Sequence, residues 1–541
     1  MIQLNILNFF LKGFYNNVIL TFRKSLVFAN ILILLISNMI FAENASEGKE
    51  VKNPKIIRLT MKEAVQRAME NSPTLKNNRF ELVKSDSNYL KSESKYSWKL
   101  LGSIDLSKSV LPYNQTNVLS GTKVQNDRFA GGIEKLFNTG TYFKLEASTL
   151  RFDSNAFEDP LKTPAGFSAL GLPPLYTGAI AATLSQDILR NSFGLQERNL
   201  EEILKKQSEI TREEIAARIS NLVVQTLIDY WTYSISQSSV KTYEQLYKNT
   251  QSIRDLTKQK TNLGLAENFE INQWNALLSQ TESQLEKAKL DREENKRKLI
   301  RTLALDSDIE IGEITDLSDE LPGDIDYEKD LQYAYGNRFD WKSMRLRREI
   351  AGLSLKNAEN NALPSLKLTG SYTAKSQNII SPQENFTNGQ KGIPSNRFFD
   401  ATGQLKLVYP ILDKGVYADT RDAKILNAQV SIMEEDLKKE IEDDIRSRID
   451  AVIVGNKILK NAIRTRKESE SYYNGLLNSF RAGRFTAVAV KNALDTFVQN
   501  QLQEVQAKIN YNINILRYDL SKNSLFSKFD IDVETIAPVI K

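Results

Sequence analysis

One helical motif occurs twice in the sequence, and this repetition constrains the fold more than any other feature. GLAENFEINQWNALLSQTESQL (264–285) and GRFTAVAVKNALDTFVQNQL (483–502) both begin with glycine, contain NAL, and end in QL at the same spacing after NAL. Three earlier blocks match in the same order: Asn71, Lys76 and Arg79 with Asn337, Lys342 and Arg345; LLGS (100–103) with LTGS (368–371); and Leu184, Ile188 and Leu189 with Leu407, Ile411 and Leu412. Repetition in a fixed order predicts two copies of one unit, each too small to bury its apolar surface alone.

The absence of two residue types excludes most catalytic sites. The chain has 541 residues, no cysteine and no histidine. Disulfides, thiolate or imidazole metal sites, and Ser–His or Cys–His catalytic pairs are therefore excluded. A carboxylate-dependent hydrolase is the remaining enzymatic alternative, but no paired-carboxylate site can be recognised. We predict that the protein is not an enzyme and needs no cofactor or metal ion.

The N-terminus has the layout of a secretory signal peptide. Three basic residues precede the uncharged run SLVFANILILLISNMIFA (25–42), and cleavage is expected after Ala42 or Ala45. A retained transmembrane anchor is the alternative, because the run approaches the length of a short span. Removal of the leader leaves acidic and basic residues nearly balanced, so the net charge of +5 does not indicate a nucleic-acid partner.

Alternating residues predict strands in both halves. Apolar and polar side chains alternate in 104–110 and 143–148, and again in 366–373 and 404–409. A period of two indicates strands with one apolar face. An ordinary soluble sheet with one wet face would show the same pattern. The secretory leader and the neighbouring long helices favour a membrane β-barrel.

The strands of each half are followed by the longest uninterrupted helical segments. No proline or internal glycine occurs between Gly194 and about Asn262. A similar proline-free segment, interrupted by Gly455, runs from Val416 to Phe480. A seven-residue apolar repeat in the first segment predicts a left-handed coiled seam; its members are Ile203, Ile210, Ala217, Val224 and Trp231. At 1.5 Å per residue such a helix is about 100 Å long. Gly264 or Gly483 would then reverse the chain at a hairpin tip.

We therefore expect an α+β protomer that is mainly α and internally duplicated. The expected segments are a signal peptide (1–42), a first repeat (43–305), an acidic connector (306–330) with a short strand at Ile309–Ile314, a second repeat (331–521) and a weakly structured tail (522–541). The first repeat comprises helices (60–97), a strand region (100–189) and a helical hairpin (194–304) with its tip at 263–267. The second comprises a helix (331–362), strands (366–374 and 401–409) and a hairpin (415–521) with its tip at 482–485.

Several sequence segments in this order resemble a known family. They are LTMKEAVQRAMENSPTLK, LPSLKLTGSY, LSQDILRNSFG, LVYPILDKG and the tips NLGLAENFEINQWNA and FRAGRFTAVAVKNA. Together, over residues 59 to about 521, they resemble the TolC family of outer-membrane channel proteins. The resemblance implies a homotrimer with one outer-membrane β-barrel, continuous with a long α-helical coiled-coil barrel that extends into the periplasm. It also implies a periplasmic adaptor, an inner-membrane transporter and outer-membrane lipid as partners.

The same resemblance makes the hairpin tips the candidate functional sites. The expected adaptor-docking residues are Leu263, Gly264, Leu265, Ala482, Gly483 and Arg484. Relatives narrow the tunnel with aspartates shortly after the second glycine, but this chain has Ala489 and Asn492 there. An acidic ring is therefore not expected at those positions. Glu267 and Glu270 are the alternative gate candidates, with Arg484 as an ion-pair partner; ordinary solvated tip charges are the other interpretation.

The first half carries a longer strand region than the second. Its surplus, FAGGIEKLFNTGTYFKLEASTLRF (129–152), predicts a hairpin that turns at Asn138–Gly140. Segments 111–126 and 153–177 would then be long loops. If the hairpin joined the barrel, each protomer would supply six strands, and otherwise four. A widened barrel fits awkwardly on a twelve-helix tunnel, so we expect four spanning strands with the insert as an extension.

The expected function is an outer-membrane exit duct of a tripartite efflux or type I secretion system. The duct would passively conduct substrates from the inner-membrane pump. A periplasmic coiled-coil adaptor or scaffold is the alternative, and it would carry a β-rich domain between its helical arms. Here the strands precede each long helix in both halves, which favours the duct.

Overall fold

The computed structural model describes residues 56–114, 121–157, 174–264, 267–306, 309–314, 317–323, 325–377 and 386–531. The expected signal peptide lies outside these ranges. The chain divides into two compact units. The smaller unit comprises Met1–Ile57 with Asp308–Glu310, and its described residues include strand β1 (Ile56–Ile57) and the first residue of β6 (Glu310–Ile311), whose second residue belongs to the larger unit. The larger unit comprises Arg58–Ser307 and Ile311–Lys541 and contains all other elements.

The first half of the larger unit contains short helices, four strands and two long helices. In chain order they are α1 (Met61–Asn71), α2 (Pro73–Ser85), α3 (Ser87–Glu93), β2 (Lys99–Val110), β3 (Lys123–Leu136), β4 (Tyr142–Ser154), β5 (Leu175–Asp187), α4 (Leu195–Asn262) and α5 (Asn268–Thr302). The start of α1 is the predicted capping box, in which Thr60 and Glu63 satisfy each other's backbone N–H groups. Pro73 occupies the first turn of α2, where its missing N–H costs nothing.

The second half repeats this order with two strands instead of four. Its elements are α6 (Tyr327–Asn337), α7 (Phe339–Asn361), β7 (Ser365–Gln377), α8 (Phe386–Gln390), β8 (Phe398–Val408), α9 (Lys414–Arg481), α10 (Ala487–Ser521) and α11 (Leu525–Lys528). Helices α4 and α9 have 68 residues each, and α5 and α10 have 35 each. These equal lengths support the duplication, which itself stays a prediction.

Two expectations about local structure are wrong. The helix expected at 331–362 is two helices, because Arg338 between them adopts an extended backbone conformation. The tail expected to be weakly structured contains α11, where Leu525, Phe526 and Phe529 bury their side chains. Burial of these three side chains supplies a stabilisation that the short polar sequence around them did not indicate. Among the described residues, no helix is long and apolar enough to cross a membrane.

Six antiparallel strands form one sheet in the order β2-β3-β4-β5-β7-β8. The inserted hairpin supplies β3 and β4, and it turns as predicted: the Phe137 N–H donates to Thr141 O at 2.8 Å and the Gly140 N–H donates to Phe137 O at 2.9 Å. The expectation that the insert is a mere extension is wrong for the sheet. Strands β3 and β4 lie between β2 and β5 and are hydrogen-bonded on both sides, so their backbone groups are satisfied inside the sheet.

The turn of the inserted hairpin packs against the junction between β5 and α4. Residues Asn191, Phe193 and Gly194 all have positive φ angles there, of 60°, 47° and 74°. A Cβ atom at Gly194 would overlap the carbonyl oxygen of Asn138 and lie 2.7 Å from Gly140 N. Only glycine therefore fits this point of close backbone contact.

The long helices pack along seven-residue repeats. On α9 the buried face is Ile445, Val452, Leu459, Tyr473 and Phe480, with Arg466 continuing the same spacing. The Arg466 guanidinium bonds to Glu504 of α10 at 2.5 Å and to Glu470 at 2.7 Å. In the predicted seam of α4, Ile210 and Trp231 are buried and the other three members are half-buried.

The connector between the halves is bound to the long helices through its backbone. The Tyr511 hydroxyl donates to Glu320 O at 2.7 Å, and the Asn512 side chain bonds to both backbone groups of Ser318 at 3.0 and 2.9 Å. Ser234 of α4 donates to Ile314 O at 3.2 Å. The described connector residues Ile314, Ser318 and Glu320 are thus held against α4 and α10.

Arg338 joins three elements where α6 ends, and its removal should destabilise the chain. Its guanidinium bonds to Asp340, to Asp444 of α9 at 3.1 Å and to the Ser521 carbonyl of α10 at 3.0 Å. Burial opposes its charge, but the hydrogen bonds and charges of Asp340 and Asp444 outweigh burial and raise the pKa of Arg338. We expect Arg338→Ala to lower the free energy of unfolding by about 2–3 kcal/mol. The loss is not larger, because Asp444 keeps Arg448 as an ion-pair partner.

Thermal unfolding of the purified protein checks this expectation. The matched control is Arg347→Ala, whose ion pair with Glu214 is about half exposed on both sides. Exposed pairs contribute about 0–1 kcal/mol, so this control should leave Tm nearly unchanged. Equal shifts in Tm for the two variants would contradict the assigned role of Arg338.

Candidate functional site: the hairpin tips and the amphipathic sheet

Both hairpin tips turn at a glycine in the left-handed region. Gly264 has φ +71° and Gly483 has φ +77°. Their N–H groups donate to Thr261 O and Phe480 O, each at 3.0 Å. No heavy atom lies within 4 Å of the point that a Cβ would occupy at either glycine. The predicted chain reversal therefore depends on backbone conformation and not on close packing.

The two tips share one hydrophobic core. It contains Leu246, Ile253, Trp274 and Leu277 from the first hairpin and Tyr473, Leu476, Phe480, Ala487, Val490, Ala493, Leu494 and Val498 from the second. The rings of Tyr473 and Phe497 stack with centroids 5.9 Å apart, and burial raises the pKa of Tyr473.

A lysine bonds one hairpin to the other near the tips. The Lys260 ammonium group of α4 donates to the Phe480 carbonyl at the end of α9 and lies 4.1 Å from the centroid of that ring. It satisfies a carbonyl of the last helical turn and complements the helix dipole.

The predicted docking residues lie on the exposed ends of the hairpins. Leu263 is 73% exposed, and Ala482, Gly483 and Arg484 are exposed as well. Leu265 lies outside the described residues. Two exposed aromatic side chains that the sequence analysis did not select, Phe269 and Phe485, stand beside these residues, exposed by 65% and 52%. They could have been predicted as docking residues, because an aromatic side chain in an otherwise polar turn sequence often marks a contact surface.

The gate candidates are dispersed and not paired. Glu267 precedes the first turn of α5 without a side-chain cap bond, and Glu270 lies in that turn. On α10, Ala489 is half-buried and Asn492 is exposed. Within the described part of the chain, Arg484 forms no ion pair with either glutamate.

The six-stranded sheet has one mainly apolar and one mainly polar face. Cross-strand partners share a face, as in the row Leu100, Ile133, Leu145, Ala182 and Tyr372. The exposed large residues of the apolar face are Leu100, Ile104, Leu106, Phe129, Leu145, Ile180, Leu184, Leu368, Tyr372, Phe399, Leu405 and Leu407. The opposite face carries at least one charged residue on every strand, with serine or threonine on all strands except β3. Alternation of this kind suits a wall between lipid and water.

Two aromatic clusters flank the apolar face. At the end near the helices, Trp98 meets Phe143 edge-to-face at 6.5 Å, with the Lys135 ammonium group 5.2 Å from the Trp98 ring centroid. At the other end, Phe386 of α8 meets Phe129 and Tyr176, both with centroids 5.0 Å apart. Aromatic belts at both membrane interfaces are typical of outer-membrane barrels.

Ion pairs cross the polar face on the inserted strands. Arg128 contacts Glu146 at 2.6 Å and Asp105 at 3.6 Å, and Lys144 contacts Glu146 at 2.7 Å. These residues lie on β2, β3 and β4 and alternate in sign. Their charges compensate one another within the face.

Among the residues that the structure describes, two surfaces have no partner. Strands β2 and β8 are the sheet edges, each paired on one side only. Helix α9 exposes a second apolar stripe beside its buried one: Ile425, Leu426, Ile432, Met433, Ile453, Val454, Ile458 and Tyr472, with exposures between 46% and 67%. Open sheet edges and exposed apolar helix faces are typical of chains that associate.

Comparison with known proteins identifies the fold. No family model matches the sequence, and no curated protein matches it significantly. Solved structures do match: the channel-forming protein CusC has 12% identity and a TM-score of 0.62, covering 88% of this chain and 95% of its own. The chain has the fold of outer-membrane channels.

Two further structures agree with this assignment. The CmeC outer-membrane channel of Campylobacter jejuni has 15% identity and a TM-score of 0.60, covering 87% of this chain and 89% of its own. The open state of the MtrE outer-membrane channel of Neisseria gonorrhoeae has 12% identity and a TM-score of 0.59, covering 85% and 88%. The resemblance to TolC-type channels drawn from the sequence is thus confirmed for the fold, which is α+β and mainly helical.

Proposed function

We propose that the protein is an outer-membrane exit duct for efflux or type I secretion. The observation that carries the proposal is the amphipathic sheet, whose exposed apolar face lies between two aromatic clusters while its other face is polar and charged. Lipid accepts the first face and water the second. The long hairpins, about 100 Å tall by helical rise, would extend from this sheet into the periplasm.

The duct requires several copies of the chain, and we propose a homotrimer. Lipid does not tolerate unpaired strand edges, so β8 of one copy would pair with β2 of the next. The exposed apolar stripe on α9 would be buried against a neighbouring copy in the same assembly. Closed symmetry leaves no open edge, and the number three follows from the resemblance to the TolC family.

The hairpin tips are the proposed contact with a periplasmic adaptor, which would connect the duct to an inner-membrane transporter. Leu263, Phe269 and Phe485 expose apolar side chains at the tips, and no described element of the chain covers them. The pump would set the substrate, and the duct would conduct passively. Glu267 and Glu270 are proposed as charges near the periplasmic gate, and no acidic ring is proposed at Ala489 and Asn492.

Replacing Gly483 with proline tests the role of the tip. Proline fixes φ near −65°, whereas Gly483 has φ +77° and donates its N–H to Phe480 O. The reversal at the second tip should fail locally, far from the sheet. We expect export to be lost, while the heat-resistant trimer on gels and the outer-membrane fraction stay unchanged.

The matched variant is Gly483→Asn, because asparagine tolerates the left-handed region better than other residues with a Cβ. No atom lies within 4 Å of its Cβ position, so export should be retained. Full export by the proline variant would refute the tip as docking site. Loss of the trimer in that variant would show that the tip serves assembly instead.

A further inference from the structure

We infer that the inserted hairpin, β3 and β4, spans the outer membrane as part of the barrel wall. Each copy would then supply six strands, and three copies eighteen in all. This inference rests on the proposed function, since it assumes that the sheet lies in the membrane. It assigns to the insert the role of widening the exit and lining it with charge.

The apolar face continues across the insert between the two aromatic clusters, and beyond the outer cluster Asp127, Arg151 and Asp153 form ion pairs on the same face. Ile133 and Leu145 lie in one row with Leu100 of β2 and Ala182 of β5. Leu145 is 37% exposed, similar to Ile180 on β5 at 40%. Apolar side chains such as Phe129 and Leu145 are exposed on this face, which is unfavourable in water and favourable in lipid.

Both aromatic clusters are built from residues of the insert. Phe143 of β4 belongs to the cluster near the helices, and Phe129 of β3 belongs to the outer one. Phe129 pairs with Thr149, six residues beyond Phe143 on β4. At about 3.4 Å per residue the two clusters are about 20 Å apart along the strand, comparable to the apolar band of an outer-membrane barrel.

The insert also ends at the level where the other strands meet their helices. The Gln186 side chain on β5 donates to Thr139 O at 3.1 Å and accepts from the Thr141 hydroxyl at 2.5 Å. Gly140 N lies against Gly194, directly before α4. The hairpin therefore ends level with the other strands on the side of the sheet that joins the helices.

This placement removes the conflict with a twelve-helix tunnel. Strands β2, β5, β7 and β8 each continue into a helix, whereas β3 and β4 are joined to each other by a short turn at that end. The insert adds about 10 Å of wall per copy, at about 4.8 Å per strand, without adding a helix. The exit would thus be wider than the tunnel that feeds it.

The charges on the polar face of the insert indicate which kind of solute could pass through such an exit. Arg128 pairs with Asp105 of β2 and with Glu146, and Lys144 also pairs with Glu146, so the insert would line the pore with compensated charge. A wide pore with this lining favours bulky, hydrated solutes and discriminates little by their charge. Selection of substrate would therefore occur before the exit.

Single cysteines test the inference, because the chain has none of its own. In the insert, Ala147→Cys places a thiol on the apolar face and Ser148→Cys places one on the polar face. Ala374→Cys and Thr373→Cys form the matched pair on β7, with Ala374 in the same row as Ala147 through Ile180. Intact outer membranes are treated with a charged, water-soluble methanethiosulfonate, and protein unfolded by heating in SDS serves as the full-reaction control.

We expect Ser148→Cys and Thr373→Cys to react at least about tenfold faster than Ala147→Cys and Ala374→Cys in the membrane, a difference that unfolding removes. An apolar maleimide delivered from lipid should label Ala147→Cys and Ala374→Cys instead. If both insert thiols react quickly with the water-soluble reagent while the β7 pair alternates, the insert lies outside the bilayer and the inference fails. If the β7 pair does not alternate either, the proposed membrane function fails with it.

Discussion

Replacing Gly194 with alanine is expected to prevent assembly of the duct, although the change adds one methyl group. Gly194 has φ +74°, which costs an L-residue about 1–2 kcal/mol. Its Cβ would also overlap the Asn138 carbonyl oxygen and crowd the backbone of Gly140. Because both neighbours are backbone atoms of the inserted turn, the hairpin or the start of α4 must move. We expect a total cost of about 3–5 kcal/mol.

The control for this prediction is Gly264→Ala at the first tip. Gly264 has a similar φ of +71°, but no atom lies within 4 Å of its Cβ position. Gly264→Ala should lose only the stability that the positive φ costs, and it should still reach the outer membrane as a heat-resistant trimer. Gel migration and membrane fractionation measure both variants. Equal assembly of the two would contradict the close packing of the inserted turn on the strand–helix junction.

Replacing Ile432 with aspartate is expected to abolish the trimer while leaving the fold of the single chain intact. Ile432 is 67% exposed on the second apolar stripe of α9. Burial of an isoleucine side chain contributes about 1.5–3 kcal/mol, and an unpaired carboxylate in an interface adds a larger desolvation cost. The effect recurs at each of the three contacts, so the trimer should dissociate.

The matched control is Lys438→Asp, an exposed position on a different side of the same helix. Circular dichroism reports the helical content, and light scattering in detergent reports the mass. Both variants should keep the helical content, and only Ile432→Asp should run as a monomer. A stable Ile432→Asp trimer would exclude this stripe from the interface.

The sequence was sufficient to predict the helical part of the fold because its constraints are local. Residues 195–262 lack proline and glycine, and Gly264 directly follows them, so the rod and its reversal were both predictable. The break at Arg338 was not, because its extended conformation is stabilised by Asp444 and the Ser521 carbonyl, which are distant in sequence.

The strand count could not be decided from the sequence for a related reason. Alternation in 143–148 showed that β4 exists but not which strands it pairs with. The position of the insert depends on the contact of Gly140 with Gly194 and on pairing with β2 and β5. At the tips, the turns at Gly264 and Gly483 were predictable from their sequence context. The bond from Lys260 to the Phe480 carbonyl was not, because it joins two hairpins that are distant in sequence.

The mass of the protein extracted from outer membranes tests the central claim most directly. In this account, identical copies surround a shared pore. The edge strands β2 and β8 of neighbouring copies pair with each other, and the apolar stripe of α9 is buried between copies. Native mass spectrometry in a mild detergent, without cross-linker, should give three times the mass of the processed chain. A single-chain mass for a protein that still exports its substrate would contradict the account.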